Sequence, residues 1–506
     1  MSNGWSHRRV GPALLVAVAA AGAVTGCGSA ASAAGDGTLA IGTLVDVQSF
    51  DPALNPGQGQ RLYLDPVYDS LLRTDAGGNI VPGLATDYVL DATALRLTLP
   101  EGRVFSDGSP LDAAAVKASL DHVKSAGGPA STALASVREV RVDGPTQVSL
   151  DLTAPAPALP IALTDTAGMV VAPAAIGDPN LGSAPVGSGP YMLDAAASNK
   201  GVSYVYVQNP RYENKAEQGL ERVEIKVLTD GAARAGALRS GQIDLAQVDK
   251  TQVDAVQSAG FNLEFMTGNH WMLQLADLGG EKSPALASKE IRQAIGYAID
   301  RDAIVGANFF GQGTANNQVF GADSPYHVGD LPQKYTYDPD KARALVAQSG
   351  VADPTFTVPA FGPTKPIAEA VQGYLREVGI TMNIELVQPG TLEKENRSTN
   401  FGAFLTPIKQ VHPEQLYVER LAAAGPQNPY GHSAPAVDAL HAEALAATDD
   451  AARNTAYRQM LGEVADQALW IDLFTDNGAV AWADSVQGVT LTPGWVMGPT
   501  LRGVTA

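Results

Sequence analysis

Cysteine is almost absent from this chain: one occurs among 506 residues, at position 27. A single cysteine excludes an intramolecular disulfide framework, so core packing must hold the folded chain together. Basic residues are also few, with 34 Lys and Arg against 53 Asp and Glu, which gives a formal net charge of −19. This acidic balance argues against a nucleic-acid partner and against a polybasic membrane-binding patch.

Long hydrophobic runs are missing after position 27, where no 18 consecutive residues are apolar. The closest stretch, 159–176, is interrupted by Asp165, Pro173 and other polar residues. A transmembrane helix needs about 20 predominantly apolar residues. We therefore predict a water-soluble body that reaches a membrane only through its N-terminal segment.

Sequence signatures of catalysis are missing as well. There is no HExxH, no GxSxG and no P-loop, and the glycine pairs at 57/59 and 311/313 lack the third glycine of a dinucleotide fingerprint. The seven histidines are scattered, and no pair has metal-ligand spacing on one helix face. We predict that the protein is not an enzyme, with no catalytic residue, no metal site and no cofactor.

The N-terminus has the pattern of an export signal. His7, Arg8 and Arg9 precede a small or apolar run at 10–24, too short for a comfortable membrane span. The run ends in VTGC, which looks like a bacterial lipobox, where cleavage before Cys27 leaves a thiol that carries a diacylglycerol. The alternative is an ordinary signal peptide with a chance cysteine. We predict a signal peptide over 1–26 and a lipidated Cys27 that opens a flexible tether over 27–37.

The remaining chain predicts a mixed α/β protein without internal repeats. Alternating or β-rich apolar segments predict strands, among them 38–47, 95–99, 147–152, 202–207 and 469–474. Start and stop signals predict helices: one follows Asp338 and ends before Gly350, one is capped by Ser288, and two more cover 436–447 and 451–465. Arg292 and Arg301 flank the helix after Ser288, where we expect structural ion pairs rather than ligand contacts.

A series of short motifs follows in a fixed order. They are FDP at 50–52, YDSLL at 68–72, VPGLA at 81–85, FSDGSPL at 105–111, PVGSGPY at 185–191, NPRY at 209–212, SGQID at 240–244, IRQAIGYAIDR at 291–301 and YDPDKA at 337–342. The series resembles the family 5 extracellular solute-binding proteins, the peptide/nickel/opine-binding class of bacterial ABC importers. The resemblance covers about residues 38–489. Most of these motifs are turns and packing positions, so they identify a scaffold rather than a binding site.

The resemblance implies a two-lobe periplasmic-binding-protein-like fold of type II, with an extra domain in lobe I and two crossing segments that act as a hinge. We place the crossings near 265–274 and 473–480. Lobe I is then 38–264, with 61–184 as the extra subdomain, lobe II is 265–474, and 475–506 returns to lobe I. A ligand held between such lobes stabilises the closed form because it touches both lobes only there.

Candidate ligand-binding residues come from comparison with the peptide-binding relatives. In them, an acidic residue of lobe II in a Trp-x-x-Asp-x-x-Asp-Pro-like stretch grips the free amine of the peptide. The matching stretch here, FLTPIKQVHPE at 404–414, has Lys409 and His412 instead. These cations would favour an anionic ligand group; the alternatives are that Glu414 takes the acidic role or that Lys409 faces water.

Three aromatic residues complete the predicted site: Trp271, which could equally be core, Phe50 and Tyr430. The predicted function is an extracytoplasmic substrate-binding lipoprotein that captures peptides or a peptide-sized polar solute for an ABC permease and its ATPase. It would act as a monomer on the outer face of the cytoplasmic membrane. The alternatives are a non-transporting sensor or scaffold lipoprotein on the same fold and, more remotely, a secreted hydrolase.

Overall fold

The computed structural model describes residues 37–55, 60–322, 324–331, 334–362, 364–388, 391–409, 412–491 and 499–506. The predicted signal peptide, Cys27 and all of the predicted tether except residue 37 lie outside these ranges. Within them, no helix combines the length and the hydropathy required to cross a bilayer.

Strands occur along the whole described chain, and the longest two lie near its middle and its end. They are β1 (Thr38–Thr43), β2 (Leu72–Thr74), β3 (Ile80–Pro82), β4 (Asp87–Leu90), β5 (Ala94–Thr98), β6 (Val137–Gly144), β7 (Gln147–Leu152), β8 (Tyr191–Leu193), β9 (Ser203–Gln208), β10 (Arg222–Val227), β11 (Leu245–Val248), β12 (Asn262–Leu275), β13 (Gly313–Ala315), β14 (Thr355–Ala360), β15 (Thr381–Leu386), β16 (Ala403–Ile408) and β17 (Trp470–Trp482).

Helices concentrate in the second half of the chain. They are α1 (Arg61–Leu64), α2 (Ala113–Ser125), α3 (Pro129–Ala133), α4 (Leu159–Ala162), α5 (Gly231–Arg239), α6 (Val253–Ser258), α7 (Lys289–Ala298), α8 (Arg301–Phe309), α9 (Pro339–Ser349), α10 (Lys365–Glu377), α11 (Leu392–Glu395), α12 (Pro413–Leu416), α13 (Pro435–Ala446) and α14 (Asp450–Gln467). A π-helical turn, Tyr417–Leu421, continues α12.

One large sheet runs through the molecule in the order β16-β12-β17-β11-β1-β10-β9-β8. Strand β13 lies off this path and also pairs with β17. Strand β1 pairs parallel with β10 and β11, while β12 and β17 pair antiparallel from Asn262↔Trp482 to Gln274↔Trp470. A separate four-stranded antiparallel sheet, β4-β5-β7-β6, packs with α2 into its own apolar core. The predicted crossing 265–274 falls within β12, and the predicted crossing 473–480 falls within β17.

The buried apolar residues separate into clusters at these two long strands. Three clusters contain only residues up to Met266 or from Ala479 onward, and three contain only residues from Trp271 to Phe474. Residues that share a continuous core move together, so the boundary between the clusters is the expected position of the hinge. We therefore propose lobe boundaries at 38–264 and 265–474, with 475–506 returning to lobe I and 61–184 as its extra subdomain.

The pairing of β12 with β17 is irregular between Thr267 and His270, at this boundary. A Cβ atom on Gly268 would lie 1.9 Å from Asp476 Oδ1, so the backbone approach requires glycine here. The Asp476 carboxylate accepts a hydrogen bond from the backbone N–H of Asn269 at 2.8 Å. Buried His270 donates from Nε2 to Asp472 Oδ1 at 2.8 Å, which ties the two strands beside the irregularity.

Several local predictions are confirmed. Asp338 caps α9 by accepting from the backbone N–H of Lys341, and Gly350 ends it with φ of 68°. Ser288 likewise caps α7 through Ile291. The strand predicted at 469–474 extends further, as β17.

The ion pairs predicted for Arg292 and Arg301 are wrong. Arg292 donates to the carbonyls of Leu286, Ala287 and Gln467, and Arg301 donates to those of Gly296, Ile299, Tyr335 and Asp472. Both guanidinium groups are buried, and their five donors match several backbone acceptors at once. Both arginines have a structural role, as expected, but their partners are backbone carbonyl groups instead of carboxylates.

Candidate functional site

A cavity of about 240 Å³ lies where the two proposed lobes and both crossing strands meet. Lys250, just after β11, supplies the lobe I side. Strand β12 contributes Trp271 and strand β17 contributes Asp476. Lobe II supplies the remaining wall, from α8 and α10: Asn308, Phe309, Pro366 and Ile367. The lining thus combines two aromatic rings, one cation and one carboxylate in a largely apolar space, the composition typical of small-ligand sites.

Lys250 is the cation of this cavity. Its Nζ lies 3.4 Å from the centre of the Phe309 ring and 4.0 Å from Asp476 Oδ2, so the nearest carboxylate is at the outer limit of an ion pair. Burial lowers the pKa of Lys250, and the charge of Asp476 only partly opposes this. A lysine in such surroundings favours a further anionic partner over its present contacts.

Trp271 forms the aromatic wall of the cavity, and contacts with Phe474, Phe309 and Asp476 fix the position of its ring. Its ring stacks on Phe474 at 5.9 Å and meets Phe309 at 6.3 Å, while Nε1 donates to Asp476 Oδ2 at 2.9 Å. Only 8% of the residue is exposed. Trp271 therefore belongs to the core of lobe II and also lines the interlobe cavity.

Lys409 meets lobe I through an ion pair. Its Nζ lies 3.7 Å from Asp165 Oδ2, and the other carboxylate oxygen of Asp165 lies 3.8 Å from Arg61 Nη1. Burial acts to raise the pKa of Asp165, but Arg61 and Lys409 outweigh it and leave the pKa below its ordinary value. Burial lowers the pKa of Lys409 against the opposing effect of Asp165. We call Arg61, Asp165 and Lys409 the interlobe clasp.

His412 does not fit the role predicted for it. Its Nδ1 accepts the backbone N–H of Glu414 at 3.1 Å and so caps α12, and its ring packs edge-on against Tyr326 and Tyr457. Burial lowers its pKa to about 4. The ring is therefore neutral at physiological pH and supplies no positive charge for an anionic ligand group. Because the unfolded ring protonates near 6.5, this group lowers folded-state stability as the pH falls from there toward 4.

Phe50 and Tyr430 lie apart from both features. Phe50 is 2% exposed and packs in the lobe I core, edge-on to Tyr204 at 5.7 Å. The Tyr430 hydroxyl donates to the carbonyls of Thr399 and Phe401, within lobe II. Neither residue lines the interlobe cavity.

Glu414, the alternative acidic residue, is committed to a buried network. Its Oε2 accepts from His441 Nε2 at 2.7 Å and from the Tyr457 hydroxyl at 2.9 Å. Only 8% of Glu414 is exposed. These contacts engage the Glu414 carboxylate inside lobe II rather than in the interlobe cavity.

Four residues of the site were missed from the sequence: Arg61, Asp165, Lys250 and Asp476. In the sequence, Asp165 stands out only because it interrupts the most apolar stretch. An isolated charge in such a stretch indicates a buried, paired group and so a candidate functional residue. Lys250 follows the carboxyl end of β11, the edge at which ligands of open α/β sheets bind. In the described part of the chain, no group of three or more His, Cys, Asp or Glu side chains is arranged to hold a metal ion.

Comparison with known proteins gives a consistent set of relatives. Residues 79–418 match the profile of the bacterial extracellular solute-binding proteins, family 5, middle region. The probable D,D-dipeptide-binding periplasmic protein DdpA of Escherichia coli K12 is 27% identical over 482 residues, 90% of this chain and 92% of that protein. The glutathione-binding protein GsiB of Salmonella paratyphi A is 24% identical over 487 residues, 92% of this chain and 93% of that protein.

A solved structure shows that the similarity includes the fold. The ABC transporter substrate-binding protein CtaP of Listeria monocytogenes superposes with a TM-score of 0.79 at 21% identity, covering 92% of this chain and 98% of that one. At this identity the match shows a shared fold and carries no argument about the solute.

Proposed function

The chain belongs to the bacterial extracellular solute-binding proteins of family 5, and from that premise we propose that it captures a small, carboxylate-bearing solute between its lobes and delivers it to an ABC permease. The observation that carries this proposal is the 240 Å³ cavity, whose walls come from both lobes and from both crossing strands. A solute placed there contacts both lobes only when they are together, so its binding energy favours closure. The family profile and the two-lobe fold support the same function.

The size of the cavity limits the solute. A cavity of about 240 Å³ that opens to solvent suits a small molecule, such as an amino acid or a short peptide. The names of the relatives, which include a dipeptide-binding and a glutathione-binding protein, agree with a compact solute of peptide type.

The charges around the cavity favour an anionic group. Lys250 faces the cavity with its nearest carboxylate, Asp476, 4.0 Å away, and both oxygens of that carboxylate already accept hydrogen bonds from Asn269 and Trp271. The carboxylate of the solute would pair with Lys250, and Trp271 would cover its apolar part. The clasp, which is not part of the cavity lining, would add to the stability of the closed form by joining the lobes.

The proposal is tested by mass spectrometry of the native protein as purified, followed by small-angle scattering with and without the solute that this identifies. We expect a retained acidic compound of about ten non-hydrogen atoms, consistent with the cavity. Adding it to stripped protein should reduce the radius of gyration through hinge closure. Unchanged scattering at confirmed saturation would favour a sensor or scaffold that does not transport, and turnover of the solute would favour a hydrolase.

We propose further that Cys27 anchors the protein to the outer face of the cytoplasmic membrane. A single myristoyl-length chain binds membranes only marginally, whereas two or more chains give stable attachment. Cys27→Ala should therefore release a folded protein into the soluble fraction, with solute affinity unchanged. Ser29→Ala, two residues away, is the matched control and should remain with the membrane. If Cys27→Ala also remains there, the lipid anchor is excluded.

A further inference from the structure

A buried arginine in lobe II forms no ion pair with any described acidic residue. Arg420 lies in the π-helical turn Tyr417–Leu421 and is 8% exposed. Its Nη1 donates to Gln274 Oε1 at 2.7 Å, and its buried Nε has no hydrogen-bond partner among the described residues. Such turns are uncommon and occur frequently at functional sites.

The guanidinium lines a small cavity inside lobe II. The cavity has a volume of about 20 Å³, which accommodates one water-sized particle. Polar side chains on its wall are Gln274, Asn428 and His432, and the rest is apolar, including Leu469 and Trp470. His432 Nε2 accepts the backbone N–H of Gly279 at 3.0 Å and lies 4.0 Å from Asp277 Oδ1.

The acidic groups nearby are engaged elsewhere. Asp277 is fully buried, and its two oxygens accept the backbone N–H groups of Glu281, Lys282 and Ser283. Glu419 accepts from the side chain of Gln415. Burial lowers the pKa of Arg420 to about 10, with Glu419 opposing this and Arg397 adding to it. An arginine remains charged under these conditions, and a buried charge is costly unless an opposite charge meets it.

We propose that this cavity binds a monatomic anion, physiologically chloride, which pairs with the guanidinium of Arg420 and stabilises lobe II. A space of about 20 Å³ suits a compact anion. A water molecule in the cavity would leave the positive charge of the guanidinium uncompensated, so the charge favours chloride over water. The site lies near the far end of β12 from the hinge, and it is independent of the proposed solute site.

The direct test is diffraction from crystals of the full chain purified and grown in sodium bromide, because bromide replaces chloride and scatters anomalously. We expect an anomalous peak in the cavity beside the Arg420 guanidinium, between Gln274 and Trp470. A water molecule there with no anomalous signal would overturn the proposal.

The solution test compares thermal unfolding in sodium chloride and in sodium gluconate at equal ionic strength. Binding to the folded state alone should raise the Tm of the wild type in chloride by about 1–3 °C. Arg420→Met should lose this difference, while Arg376→Met, at an exposed arginine of α10, should keep it. If Arg420→Met does not fold, the chloride dependence of the Tm of Arg420→Lys and the bromide crystals test the proposal instead. An equal chloride effect in wild type and in both folded variants would contradict the site.

Discussion

Replacing Lys409 by glutamate should weaken the binding of the carboxylate-bearing solute by about 100-fold and open the lobes of the unliganded protein. Two unit charges 4 Å apart interact by about 4 kcal/mol at the effective dielectric of a protein surface. Because the Asp165 side chain is 34% exposed, solvent screening reduces this to about 1–3 kcal/mol. Each 1.4 kcal/mol corresponds to a tenfold change in affinity. Lys409→Ala should lie between wild type and Lys409→Glu.

Calorimetry and small-angle scattering measure the two effects separately. Lys394→Glu, at an exposed lysine of lobe II, makes the same change of charge and should leave both affinity and shape unaltered. Asp165→Asn removes the carboxylate of the clasp but keeps Lys409. It should open the unliganded lobes and weaken solute binding by about tenfold, less than Lys409→Glu, because it breaks the same ion pair without adding a like charge.

One outcome would reverse the interpretation of this segment. If Lys409→Glu binds peptides with a free amine more tightly and leaves acidic solutes unaffected, the position is the amine-binding position of the relatives and the natural solute is not selected by its carboxylate. Equal, small effects in Lys409→Glu and Lys394→Glu would show that the clasp is a solvated surface pair, of the kind that contributes little.

Replacing Lys250 by methionine should weaken binding of the same solute by about 10- to 100-fold. A charge-assisted hydrogen bond contributes on the order of 1.5–3 kcal/mol, and methionine keeps the length of the side chain without its charge. The folded state should not lose stability, because burial already disfavours the charged amine and the thioether can pack on the Phe309 ring.

The discriminating measurement compares the acidic solute with its neutral amide. In the wild type the acid should bind more tightly than the amide, and in Lys250→Met the two should bind alike. Lys200→Met, at an exposed lysine of lobe I, is the control and should preserve the difference. If Lys250→Met lowers the affinity for acid and amide equally, Lys250 acts through packing against Phe309 and the carboxylate binds elsewhere.

Residues whose role depends on near neighbours in the chain were predictable. Asp338 and Gly350 were identified as the start and end of α9, since capping is a relation among residues a few positions apart. The order of the turn motifs identified the family, which the profile match over 79–418 confirms. His412 shows the limit: a histidine in a binding segment suggested a titrating ligand, but burial and the cap of α12 keep it neutral.

The sequence by itself determined the acidic composition, the absence of disulfide bonds, the mixed α/β fold and the membership of a two-lobe family, because these follow from composition, local spacing and motif order. Only the tertiary structure decided which charges meet. Asp165 and Lys409 are far apart in the chain, and so are Lys250 and Asp476, yet each pair lies within 4.0 Å. Such pairs arise from the path of β12 and β17 between the lobes, and no periodicity in the sequence encodes a distance across a hinge.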